Sequence, residues 1–275
     1  MSQAAFSSLA AFLHARSGLV LGPDKLYLVE TRLGPLMRRE KIADLAALVA
    51  RLQTAEPLAR EVVELMTTNE TFFFRDGKPF EHVKASALRR IHAARPPGQS
   101  IRIWSAACST GQEAYSLAMI VAESRPWLGD RRVEIVGTDL SREVLARARE
   151  GLYSQFEVQR GLPIQLLVKY FRQEGTNWRI AEEIRAMVTW REGNLLGDLR
   201  GLGRFDIVFC RNVLIYFDQP TKSRVLEAIA AQMPPDGVLY LGGAETVLGI
   251  TDRFSAIPGE RGVYEPASGA RTAAA

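Results

Sequence analysis

The sequence predicts an α/β fold: a doubly wound, Rossmann-like parallel sheet that follows an N-terminal all-α unit and carries a small inserted antiparallel β subdomain. Three observations predict it. Apolar residues recur at helical spacing, without β-branched alternation, through the first 66 residues. From residue 101 short continuous apolar runs alternate with helical stretches, as in a buried parallel sheet with crossover helices. Between Gly151 and Met187 that alternation gives way to a polar stretch with a turn at its centre.

The helical unit, residues 1–66, starts with Phe6, Leu9, Phe12 and Leu13 on one face. Pro23-Asp24 reads as the start of a second helix through Leu26, Val29, Leu33, Leu36 and Met37. Gly34-Pro35 is expected to interrupt or kink it, because proline lacks the backbone donor. Asp44 is an N-cap candidate for a third helix, and Pro57 opens a fourth through Val62, Val63 and Met66. Residues 67–100 form a linker and helix: the polar-aromatic TTNETFFFR (67–75), a helix through Phe80, Val83, Leu88 and Ile91, and the loop ARPPGQS.

The sheet domain occupies residues 101–266. Its strands read as 101–107, 133–140, 187–192, 205–211 and 238–243, with a short last one in ERGVYEP. A helix through Tyr115, Leu117 and Ile120 follows the first strand, and Ser141 caps the helix after the second. The β insertion is expected at about 165–185, with a hairpin turn at Gly175-Thr176-Asn177. Residues 267–275 read as a disordered tail.

Composition narrows the function classes. A net charge of +4 on 275 residues, with no arginine-aromatic module, gives no reason to expect nucleic acid. No apolar run reaches the roughly 18 residues of a membrane span, and the N-terminus lacks a leader pattern, so a cytoplasmic protein that is not membrane-inserted is expected. Cys108 and Cys210 sit in apolar runs without metal-ligand spacing, and His14, His82 and His92 are scattered, so no metal is expected.

In an open α/β sheet, ligands bind beyond the carboxyl ends of the strands. After the first strand stands Ala106-Ala107-Cys108-Ser109-Thr110-Gly111-Gln112-Glu113. One glycine does not make a pyrophosphate loop, which disfavours a nicotinamide dehydrogenase. Thr110 and Glu113 also fit a capping box. Asp139 ends the second strand, where a carboxylate can accept both ribose hydroxyls. Its alternative role is to cap the next helix, for which Ser141 is better placed. Gly193-Asn194-Leu195 follows the third strand; Asn194 reads either as a contact to an adenine edge or as a plain turn. Arg211-Asn212 ends the fourth strand, a polar pair that packing does not explain, whereas Tyr216 fits the core. A strand-end aspartate without a phosphate loop suits a nucleoside ligand lacking a diphosphate, such as S-adenosylmethionine.

At these residues the sequence resembles the CheR-type chemotaxis receptor methyltransferases, through TTNETFFFR, IWSAACSTGQEAYS (103–116), VGTDLS (136–141), GNLL (193–196) and FDIVFCRNVLIYF (205–217), in order and over about residues 5–265. The resemblance implies transfer of a methyl group from S-adenosylmethionine to glutamate side chains of chemoreceptors, with S-adenosylhomocysteine as product. It implies Asn69, Thr71, Arg75, Glu113, Asp139, Asn194, Leu195, Arg211 and Asn212 as cofactor contacts, and Arg75 with Tyr216 as the pair beside the transferred methyl. Two departures stand out. Ala244-Glu245-Thr246 replaces the family's Ser-Glu-Asn, so no site role is carried over there, and the short loop Glu174–Asn177 puts tethering on a receptor's C-terminal pentapeptide in doubt. Arg32, Arg38 and Arg39 on the second helix read either as a solvated face or as a contact to the acidic helical bundle of the receptor. The alternatives are a methyltransferase for another protein or a small molecule, and a regulator that binds S-adenosylmethionine without turnover.

Overall fold

A computed structural model of the chain describes residues 2–267; the expected tail lies, beyond Ala267, outside the described residues. The chain divides into two compact units, Met1–Thr68 with Tyr216–Thr221, and Asn69–Ile215 with Lys222–Ala275.

The first unit holds the helices Gln3–Ser17, Leu26–Arg39, Leu45–Leu52 and Glu56–Met66. Their buried faces supply Leu9, Leu13, Val29, Leu33, Leu48, Val62 and Met66. Asp44 caps the third helix, its Oδ1 accepting the Ala47 N–H at 2.8 Å. Of the interruption or kink expected at Gly34-Pro35, the interruption does not occur: one helix runs through it, from Leu26 to Arg39. Burying Val29, Leu33 and Leu36 on one face is worth about 1.5–3 kcal/mol per side chain, more in sum than the roughly 3 kcal/mol that an interior proline costs. Arg32 is also placed otherwise than expected. Its Nη1 donates to the carbonyls of Met66 and Thr67, both at 2.8 Å, and so closes the C-terminus of the fourth helix instead of facing outward. Arg39 makes a forked contact with Glu61 at 2.8 and 2.6 Å, and Arg38 is exposed. Within the same unit the carbonyl of Tyr216 accepts the Val20 N–H at 2.9 Å, and His14 Nε2 lies 2.9 Å from Asp218 Oδ2.

The second unit is the α/β body. Its strands are β1 (Ile101–Ala106), β2 (Val133–Asp139), β3 (Leu152–Ser154), β4 (Phe171–Glu174), β5 (Asn177–Ile180), β6 (Val188–Glu192), β7 (Ile207–Cys210), β8 (Val238–Leu241), β9 (Phe254–Ala256) and β10 (Val263–Pro266). The main sheet has the order β6-β2-β1-β7-β8-β10-β9. Neighbouring strands from β6 to β8 run parallel, and β10 pairs antiparallel with both β8 and β9. The order therefore reverses between β1 and β7, which places the crevice at their carboxyl ends. The apolar runs are central strands buried on both faces, hence continuous rather than alternating. Trp104 in β1 stacks on Phe205 with 5.3 Å between ring centroids, and its Nε1 donates to Thr138 Oγ1 at 2.9 Å.

The insertion is a three-stranded antiparallel sheet, β3-β5-β4, whose β4–β5 hairpin turns at Gly175-Thr176. It begins at Leu152, earlier than the 165–185 expected, because β3 lies two short helices, Gln155–Gln159 and Ile164–Tyr170, upstream of the hairpin it pairs with. Among the described residues no helix is long and apolar enough to cross a membrane.

Candidate functional site

The loop after β1 is bent by its own backbone. Ala107, Ser109 and Gly111 all have positive φ, 56°, 51° and 95°. Phe74, Asp76 and Asn212 share this conformation, so five of the six non-glycine residues with positive φ among those described lie in three segments: 74–76, the β1 loop and the β7 loop. Each such residue costs about 1–3 kcal/mol and persists only where its surroundings hold it. Hydrogen bonds tie all three segments to one region.

Asp139, at the carboxyl end of β2, supplies part of the hold. Its Oδ2 accepts the Ser109 N–H at 2.8 Å and its Oδ1 the Ser141 N–H at 3.0 Å, with the residue 6% exposed. Ser141 takes the helix cap, its Oγ accepting the Val144 N–H. Asp139 is thus not the cap. A carboxylate has about four acceptor positions, so it can hold the β1 loop and still receive hydroxyls.

The capping box expected of Thr110 and Glu113 does not form. The helix Gln112–Glu123 is capped by Gly111 in a left-handed conformation, and Thr110 Oγ1 turns to Gln112 Oε1 at 2.8 Å. Freed from capping, Glu113 points across the sheet end. Its Oε1 accepts from Ser105 Oγ at 2.8 Å and its Oε2 from Arg211 Nη1 at 3.2 Å. Burial pushes the Glu113 carboxyl above its usual range, against the opposing pull of Arg211 and Ser105. Arg211 also donates through Nη2 to the Arg75 carbonyl at 3.0 Å and to Asp76 Oδ2. Its side chain is 1% exposed, and its Nε has no hydrogen-bond partner.

The polar-aromatic segment is fixed from several sides. Phe73 is fully buried, edge-on to Tyr153 and Phe171. Ser109 Oγ donates to the Asn69 carbonyl at 2.7 Å, and the Phe74 N–H donates to Ser116 Oγ at 3.0 Å. Arg75 Nη1 reaches the Glu70 carbonyl at 3.0 Å, and Thr71 lies half-buried between Asn69 and Phe73. Beyond β6, the Gly193 N–H bonds to the Asp139 carbonyl at 2.9 Å, Asn194 Oδ1 accepts the Leu196 N–H at 2.9 Å, and Leu195 is buried. Asn194 therefore makes the turn, and the bond from Gly193 places that turn beside the end of β2. The expected residues Asn69, Thr71, Arg75, Glu113, Asp139, Asn194, Leu195, Arg211 and Asn212 all belong to this unit. Tyr216, Arg32, Arg38 and Arg39 belong to the helical one.

Sequence reading missed Glu245. Its carboxylate accepts four backbone N–H groups: Asn212 at 2.8 Å, Val213 at 2.9 Å, Ile215 at 3.3 Å and Gly242 at 2.6 Å. It pins the loops after β7 and β8 together and holds Asn212 in its left-handed conformation. Its sequence signals were an acid just beyond an apolar strand and its place in the Ala244-Glu245-Thr246 triplet, from which no role was carried over. Glu245→Gln turns an amide NH2 toward one pair of these donors. We expect it to cost about 2–3 kcal/mol, a melting temperature lower by roughly 5–10 °C; an unchanged melting curve would contradict the clamp.

The donor set fits S-adenosylmethionine. Asp139 offers a strand-end acceptor for a diol, as nucleoside-binding α/β sheets do. Glu113 and Arg211 present one anion and one cation side by side, the complement of an amino-acid tail, and the partnerless Arg211 Nε is a donor suited to a carboxylate.

Comparison with known proteins agrees. Residues 69–263 match the model described as CheR methyltransferase, SAM binding domain, and residues 4–67 match CheR methyltransferase, all-alpha domain. The chain belongs to the CheR methyltransferase family. As a family member it is an S-adenosylmethionine-dependent methyltransferase. It is 41% identical to chemotaxis protein methyltransferase Cher2 of Pseudomonas putida, covering 94% of this chain and 96% of that one. It is 42% identical to chemotaxis protein methyltransferase 1 of Pseudomonas aeruginosa (95% and 97% covered) and 38% identical to chemotaxis protein methyltransferase 1 of Vibrio cholerae (94% of each).

Proposed function

We propose that this CheR family member esterifies glutamate side chains on the cytoplasmic helical bundle of chemoreceptors, working in the cytoplasm. The observation that carries the reading is the convergence of Asp139, Glu113 and Arg211 at the β1–β7 switch point of a chain that matches chemotaxis methyltransferases over nearly its whole length.

S-adenosylmethionine supplies an electrophilic methyl on a positively charged sulfur; the acceptor oxygen forms the new O–CH3 bond as the S–CH3 bond breaks. The protein's own contribution is orientation. A free glutamate has a pKa of about 4.3 and is ionised at neutral pH, so no side chain has to remove a proton. Holding the two reactants in line is worth up to about 7–11 kcal/mol in favourable cases. Asp139 would hold the ribose, Glu113 and Arg211 the amino-acid end, and Asn69, Thr71, Asn194, Leu195 and Asn212 the remaining surface.

Arg75 spends Nη1 on the Glu70 carbonyl. Its remaining donors can grip one oxygen of the acceptor, leaving the other as nucleophile. Tyr216 is assigned the orientation of the acceptor on its motif alone. The exposed Arg38, with the surface pair Arg39–Glu61, would steer the acidic receptor. The two-residue turn of the β4–β5 hairpin supports recognition without a pentapeptide tether.

The test is incubation of the protein with methyl-labelled S-adenosylmethionine and chemoreceptor-bearing membranes. Label on the receptor that is released as methanol by mild alkali is the expected result. Alkali-stable label, or label on no receptor, would overturn the assignment to carboxyl groups.

A further inference from the structure

Arg75 is not the only guanidinium in its neighbourhood. Arg160 follows the inserted helix Gln155–Gln159, and its guanidinium carbon lies 4.2 Å from the centroid of the Phe72 ring, against 5.4 Å for that of Arg75. The two arginines also share residue 70. Arg75 Nη1 donates to the Glu70 carbonyl at 3.0 Å, and Arg160 Nη2 donates to Glu70 Oε1 at 2.7 Å. Two cations therefore converge on one aromatic ring and one residue, Arg160 on the Glu70 carboxylate and Arg75 on its main-chain carbonyl.

One reading makes Arg160 a strut for the segment that carries Arg75. The segment does not need it. Phe73 is sealed in the core, and the Asn69 carbonyl and Phe74 N–H are bonded to Ser109 and Ser116. Gly161 lies so close that a Cβ there would stand 2.1 Å from the Phe73 carbonyl oxygen. Packing already fixes this stretch of chain. The Arg160–Glu70 pair, by contrast, is open to water, with side chains 41% and 56% exposed. Pairs of that kind contribute about 0–1 kcal/mol and exchange partners easily. The hydrogen bond from Arg160, and then the Coulombic pull of Arg160 and Arg75, holds the Glu70 carboxyl below its usual range. Glu70 is therefore a carboxylate already resting on the cationic surface beside Arg75.

We propose that Arg160 is a second carboxylate-binding residue of the acceptor site, and that Glu70 is its exchangeable internal counterion. The acceptor it fits is an acidic peptide segment with a second carboxylate near the one that is methylated. On binding, that carboxylate displaces Glu70 from Arg160 while Arg75 engages the reacting glutamate. This rests on the reading that the acceptor is a glutamate of a chemoreceptor.

The experiment compares Arg160→Ala and Glu70→Gln with the unaltered protein in steady-state methylation of chemoreceptor-bearing membranes, alongside calorimetry with S-adenosylhomocysteine. Arg160→Ala is expected to raise the acceptor KM about tenfold, the scale of one lost hydrogen bond to a charged group. Glu70→Gln removes the competitor and is expected to lower that KM roughly two- to threefold. Both variants should bind S-adenosylhomocysteine as the unaltered protein does, which also reports that they are folded. An unchanged KM in Arg160→Ala would overturn the proposal. So would a parallel fall of kcat in both variants, since a strut breaks whichever partner is removed. Failure of the unaltered protein to label any receptor would instead count against the acceptor reading itself.

Discussion

Asp139→Ala is expected to weaken binding of S-adenosylhomocysteine at least about 100-fold, measured by calorimetry. Two effects act in the same direction. The first is loss of the acceptor proposed for the ribose hydroxyls; hydrogen bonds to a charged group contribute about 1.5–3 kcal/mol each. The second is loss of the bonds that shape the pocket, because Asp139 also accepts the N–H groups of Ser109 and Ser141. Without them the β1 loop has less to hold Ala107 and Ser109 at positive φ. Asp139→Asn separates the two effects, since an amide keeps one acceptor oxygen but presents a donor in place of the other. It should bind better than the alanine variant and worse than the natural protein. Affinity within about threefold of the natural protein in both variants would remove the ribose role.

Arg75→Ala is expected to lower kcat/KM for the receptor by roughly 10²–10³, the scale seen when one donor aimed at a reacting oxygen is removed. The fold should survive, because the bond from Arg211 goes to the Arg75 main-chain carbonyl, which the substitution leaves in place. Arg75→Lys keeps the charge and loses the planar fork. If geometry rather than charge is what Arg75 supplies, lysine recovers only a small part of the loss. Full turnover in both variants, with unaltered affinity for S-adenosylhomocysteine, would show that Arg75 holds neither acceptor nor coenzyme.

The central parallel strands β1, β7 and β8 were legible because burial on both faces leaves an uninterrupted apolar run, and the turn chemistry of Gly175-Thr176 marked the inserted hairpin. The strands that escaped, β3 and β9, have three residues each and no run to read. At the site, the residues at the ends of strands could be read from position alone. What they do there could not. Glu113 has the spacing of a capping box, yet Gly111 takes the cap and Glu113 turns to Arg211, 98 residues away in the chain. Glu245 escaped for the same reason, since three of its four N–H donors lie 30–33 residues upstream. Arg32 looked like surface charge because nothing local reveals that the carbonyls ending the fourth helix, 34 and 35 residues later, lie within its reach. Local pattern reports which face a residue occupies, whereas a long polar side chain finds its partner only once the fold has formed.

The switch point between β1 and β7 is proposed to hold the adenosine and amino-acid ends of one coenzyme. A crystal structure of the protein with S-adenosylhomocysteine tests it most directly. The ribose hydroxyls should lie within hydrogen-bond distance of the Asp139 carboxylate, and the amino-acid tail against Glu113 and Arg211. A ligand seated elsewhere, or a tail that leaves the Arg211 Nε without a partner, would contradict it.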